Sequence, residues 1–143
     1  MNHNVAVDYS LFQRSLRNLE VQHDHLLHLS PEYPLFVHEG MAESVIQRFK
    51  TCYDMLWKVL RGHLMNSLGL PEVPNSPRPI FRIADQNNLL AAGSERWECY
   101  VQTRIDTIHD YDQVKAENAI EIMPEFIADA VGLYTELTGE AWE

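Results

Sequence analysis

Between Met41 and Leu68 two rows of apolar side chains run side by side at helical spacing, and their combined width restricts the fold more than any other feature. One row is Val45, Phe49, Cys52, Leu56 and Val59. The other is Ile46, Tyr53, Trp57, Leu60 and Leu64. Residues three and four apart share a face of an α-helix, so each row forms one edge of a stripe. The stripe is wider than one neighbouring helix needs to cover. A helix buried on two sides in so short a chain points to a dimer interface.

The rest of the chain follows the same period. Asp8 is placed to cap a first helix reaching about Leu29, with Phe12, Leu16, Leu19 and Leu26 on its apolar face and His23 between them. Pro31, Pro34 and Gly40 mark Ser30 to Gly40 as a connecting loop. The long second helix then spans Met41 to Leu68 and stops at Gly69. A second loop, Pro71 to Pro79, leads into a short helix ending near Asn88, with Pro77 suited to its first turn. Gly93-Ser94 opens a helix carrying Trp97, Tyr100, Val101, Arg104 and Ile108. A last helix runs from about Asp112 to Gly139 with Ala119, Ile122, Phe126, Ala130, Leu133 and Leu137 inward, and Pro124 is expected to kink or restart it. No sustained alternation argues for strands. The expected fold is all-α: an antiparallel four-helix bundle with an additional short helix, homodimeric, and a single domain over residues 1–143.

Composition narrows the function. The formal net charge is −10, so a broad basic surface for gripping long nucleic acid is excluded, and a basic partner is as well suited. No apolar run approaches the roughly 20 residues of a membrane span, and the N-terminus lacks the pattern of a secretory leader. Cys52 and Cys99 form no C-x-x-C pair, and Cys52 sits in the apolar stripe. A cytoplasmic protein with reduced thiols is the expectation.

Chemistry concentrates in Arg104-Ile-Asp-Thr-Ile-His109-Asp-Tyr111. A guanidinium holds a phosphate with a planar fork of donors. An imidazole moves a proton near neutral pH. Arg104 and His109, with the phenol of Tyr111, therefore suit work on a phosphodiester. On a straight helix, residues five apart differ by about 140° and about 7.5 Å. Either the helix ends near His109, or two copies of the motif face each other across a two-fold axis. The plainer reading pairs Arg104 with a nearby carboxylate and leaves His109 at a helix C-terminus, where the dipole favours it.

Other constellations read as structural. Glu20-x-x-His23 and Asp106-x-x-His109, with Asp54 as a further carboxylate, make a metal-carboxylate bundle an alternative. His25 and His28 share a helix face with one another and lie close to His23 in sequence. Trp57 and Trp97 fit a core, and Arg14 and Arg17 a solvated face. No metal site and no cofactor of the chain's own is expected.

Ile46-Gln-Arg-Phe-Lys-Thr-Cys-Tyr-Asp-Met-Leu-Trp-Lys58 resembles the signature helix of the nucleotidyltransferase substrate-binding protein family. Ser76-Pro-Arg78, Phe81-Arg82-Ile-Ala84, Leu89-Leu90 and Trp97 follow in the order that family shows, ahead of Arg104, His109 and Tyr111. The resemblance covers roughly residues 9 to 138 and extends to the HEPN superfamily and its HepT-like toxins. It implies a homodimer of helical bundles whose Arg–His motifs share a cleft, and a partner that is a minimal nucleotidyltransferase. In the toxin branch it implies a metal-independent RNase acting through Arg104 and His109. The partner neutralises it by transferring AMP from ATP onto Tyr111, so ATP is the partner's cofactor. The alternative branch is a non-catalytic subunit that binds RNA or a nucleotide as substrate for that enzyme. The residue after the motif arginine is usually polar, often asparagine. Here it is Ile105, which leaves Thr103 and Asp106 to support the site.

Overall fold

The computed structural model describes residues 6–108 and 112–143, and among them the secondary structure is entirely helical. Five α-helices follow one another: α1 (Ser10–Leu27), α2 (Leu35–Gly62), α3 (Pro77–Gln86), α4 (Ser94–Asp106) and α5 (Gln113–Thr138). A π-turn over His63–Ser67 extends α2.

The starts and stops have local causes. The Asp8 carboxylate accepts from the Ser10 amide at 2.9 Å, which satisfies one of the free N–H groups at the head of α1, although Tyr9 occupies the cap position itself. Asp112 caps α5 as its side chain accepts from the Lys115 amide at 3.1 Å. Gly139 closes α5 in the left-handed region (φ +73°), where its amide bonds the Thr135 carbonyl at 2.8 Å.

Three expectations about boundaries are corrected. The loop after α1 is shorter than Ser30 to Gly40, because α2 starts directly after Pro34, whose extended backbone (ψ 155°) sets the helix entry. Gly40 therefore lies inside a helix, tolerated at a cost of about 1 kcal/mol relative to alanine. The end of α2 is also not plain α-helix: the Leu68 amide reaches back five residues to the His63 carbonyl at 3.1 Å. Finally, α5 passes through Pro124 without restarting. Ala119 and Met123 before the proline, and Phe126, Ile127 and Ala130 after it, are all buried, and this packing outweighs the lost backbone bond.

One continuous apolar core joins all five helices. Its centre is aromatic. Phe126 of α5 meets Phe49 of α2 edge-on (ring centroids 4.8 Å apart) and Tyr100 of α4 at 5.2 Å. Phe81 of α3 stacks on Trp97 of α4 at 5.1 Å. Such offset and edge-to-face pairs add to the burial of large rings. The α2 stripe packs against α1, α3 and α5 within the chain. Its two sides are thus used internally, and only its edges, Ile46, Trp57 and Val59, stay half-buried. On α5, Ile122 is half-buried and Met123 is the inward residue instead.

Polar links tie the helices at the rim. Arg96 of α4 holds Asp129 of α5 with two bonds of 2.9 and 3.0 Å, and the Tyr100 hydroxyl donates to the same carboxylate. Near the chain's end, Trp142 packs on Tyr134, lies under the Arg17 guanidinium (4.3 Å) and donates to Glu20. No described helix is long and apolar enough to cross a membrane.

Candidate functional site

The described part of the motif, Arg104 to Ile108, lies at the end of α4, with Arg104 against α2. Arg104 lies in the last turn of α4 and reaches α2: Nη2 is 3.2 Å from Asp54 Oδ2, and Nε is 3.4 Å from Oδ1. This two-point contact holds the guanidinium plane in one orientation. Both side chains keep a solvent-facing part. Asp54 follows Tyr53, which is buried with its hydroxyl pKa pushed up, chiefly by burial and further by the Asp54 carboxylate. Arg104 and Arg78 pull it the other way.

The turn after α4 is fixed by Thr107, which is buried and donates from Oγ1 to the Arg104 carbonyl at 2.7 Å. That bond satisfies one of the free carbonyls at the helix end and sets the backbone beneath Arg104. Thr107 was not singled out by sequence. A hydroxyl three residues after the motif arginine was the available signal.

The supporting residues separate. Thr103 turns back on its own helix and donates to the Cys99 carbonyl at 2.8 Å. Asp106 accepts from Gln102 at 3.0 Å and lies 3.9 Å from the Lys115 ammonium. Neither bonds the Arg104 side chain, which Asp54 holds instead. His109 and Tyr111 lie outside the described residues. Ile105 and Ile108 are exposed, as is Val114 at the start of α5.

Beside this junction runs a groove of about 760 Å³ between the first half of α2 and the α4–α5 turn. Glu39, Glu43, Gln47 and Lys50 line one wall, and Asp106, Thr107 and Gln113 the other. It has the size of a ligand cleft.

The carboxylates of the metal alternative are engaged elsewhere. Glu20 binds Arg17 and Trp142, and Asp54 binds Arg104. His25 contacts Gln22 and His28 the Asp24 carbonyl, while His23 is buried with its pKa lowered by desolvation. Among the described residues no three His, Cys, Asp or Glu side chains converge on one point.

Residues 7–139 match the family described as nucleotidyltransferase substrate binding protein like. The chain belongs to that family. A crystal structure of a protein from Thermus thermophilus superposes with a TM-score of 0.73 at 20% identity, covering 89% of this chain and 98% of that one. At that identity the likeness concerns the fold. No curated protein matches the sequence.

Proposed function

We propose that this chain is the HepT-like, HEPN-type subunit of a two-component system whose other member is a minimal nucleotidyltransferase. On this reading residues 1–143 form one domain, an antiparallel four-helix bundle with α3 as the extra short helix, and two copies pair with their motifs facing. The observation that carries the reading is Arg104 held by Asp54 in a chain of this family, with Thr107, which bonds the Arg104 carbonyl, in the wall of a ligand-sized groove. The exposed Ile105, Ile108 and Val114 at the same end suit the pairing of two copies.

The proposed activity is metal-independent RNA cleavage. His109 takes the proton of a 2′-hydroxyl, whose oxygen attacks the adjacent phosphorus. The bond to the 5′-oxygen breaks, and that oxygen takes a proton from the imidazolium or from water. Arg104 stabilises the charge that gathers on the phosphoryl oxygens. The partner restrains the site when the Tyr111 oxygen attacks the α-phosphorus of ATP and pyrophosphate leaves. The AMP then adds negative charge beside the arginine and fills the cleft.

A second reading, a non-catalytic substrate-binding subunit of the same enzyme, is favoured by two features. Asp54 already neutralises Arg104, and the following position offers an isoleucine instead of a polar group.

Purified protein incubated with RNA and EDTA separates the two. Cleavage that disappears in His109→Ala and Arg104→Ala supports the nuclease. RNA left intact at high protein concentration removes it and leaves the binding subunit. Mass spectrometry after co-expression with the genomic neighbour then looks for added AMP on Tyr111. Failure of the two proteins to co-purify counts against both readings.

A further inference from the structure

A second groove, of about 300 Å³, lies between α1 and α2. Leu11 and Met55 give it apolar walls, Asn18 and Thr51 polar ones, and Arg14 and Arg48 are its charged residues. The chain carries 21 acidic residues against 11 basic ones, yet two arginines and no carboxylate are found in this lining.

The two guanidiniums differ in how they are held. Arg48 is anchored, with Nη1 donating to the Asn18 carbonyl across the groove at 2.8 Å. One donor of its planar fork is used, and the others have no partner among the described residues. Arg14 makes no hydrogen bond or ion pair among the described residues. Unpaired arginines next to apolar surface recognise anions with an apolar body, and two of them match the charge of a phosphate monoester. The volume lies at the lower end of the range for small-molecule pockets, about 300–1,000 Å³, which suits a ligand the size of one nucleotide.

We propose that the α1–α2 groove binds a nucleoside monophosphate, with its phosphate between Arg14 and Arg48 and its base against Leu11 and Met55. Gln47 lines both this groove and the larger one that Asp106 and Thr107 line, so the two adjoin across α2. A nucleotide here would occupy a position separate from the Arg104 motif. This site does not depend on the nuclease reading.

Calorimetric titration of the full chain with AMP, adenosine and inorganic phosphate tests it. AMP is expected to bind at least tenfold more tightly than either fragment, because only it engages both the arginines and the apolar walls. Arg14→Gln and Arg48→Gln are each expected to weaken AMP about tenfold or more, and Arg104→Ala to leave it unchanged. Arg48 also joins α1 to α2, so its variant is read only if its circular dichroism matches the parent. Arg14 has no such contact and keeps the test decisive. Absence of AMP binding at millimolar concentration overturns the proposal, as does binding that survives Arg14→Gln or is lost in Arg104→Ala. A parent dimer that Arg14→Gln splits, with no AMP bound, would assign the groove to a subunit contact instead. RNA cleavage is measured separately, so its absence leaves this site standing.

Discussion

Arg104 and Asp54 are 50 residues apart in sequence, yet their side chains meet at two points, 3.2 and 3.4 Å, across the α2–α4 interface. The contact places the one permanent cation of the motif and decides how it is presented to a phosphate. Both partners are partly solvated, so the pair contributes little to stability. A double-mutant cycle of Asp54→Asn and Arg104→Gln in urea denaturation should give a coupling of about 0.5–1 kcal/mol. It should shrink in 1 M salt. A coupling several times larger would mean the pair is far less solvated than its exposure indicates.

Asp129 receives Arg96 and the hydroxyl of the buried Tyr100 together. Asp129→Ala leaves that hydroxyl without its acceptor and should cost about 1–3 kcal/mol. Tyr100→Phe removes donor and orphan at once and should cost less. Thermal or urea melts of the two variants compare them directly.

The two thiols should differ sharply in reactivity. Burial pushes the Cys52 thiol up to about 12, whereas Cys99 is exposed. The thiolate is the reactive form. Iodoacetamide at pH 8 should add one label to the folded protein, at Cys99, and a second only in denaturant, as read by intact mass.

His23 and His63 are both buried, and desolvation lowers their pKa below the ordinary 6.5. For His63 the Glu136 carboxylate opposes this more weakly. The unfolded chain therefore takes up protons at these sites at higher pH than the folded one. Stability from both histidines is complete above about pH 6.5 and falls on acidification through the lowered folded values. The melting temperature should drop between pH 7 and pH 5, and His63→Gln should flatten that slope.

Gly40 lies within α2, and an added Cβ would meet nothing within 4 Å. Gly40→Ala should raise stability by about 0.5–1 kcal/mol in urea denaturation. No gain would mean that the first turns of α2 are frayed in solution.

Much of this architecture is written in local pattern. The faces Phe12, Leu16, Leu19 and Ala119, Phe126, Ala130 follow helical spacing, and Gly139 marks its helix end as a residue free to adopt positive φ. The misreadings arise where tertiary packing overrides local preference. Gly40 looks like a loop residue, and of the kink or restart expected at Pro124 the restart does not occur, because neighbouring helices hold both residues inside helices. Within the site, Arg104 was legible from residue type. Its partner was not, because nothing in a linear pattern says that α2 turns Asp54 toward α4. Asp54 could be picked out only as a further carboxylate for the metal alternative, and it binds Arg104 instead. The Arg96–Tyr100–Asp129 cluster was missed for the same reason.

The anchoring of Trp142 against Arg17 and Glu20 has a consequence for biosynthesis. Glu20 and Trp142 are separated by 122 residues, and Phe12 of α1 also packs edge-on against Tyr134 of α5. At about 5–20 residues per second, a ribosome needs roughly 6 to 25 seconds to cover that interval. Until α5 is made near the end of that interval, α2 is the main cover for the apolar face of α1. The cover of α1 by α5 is therefore made late, after α5 has emerged.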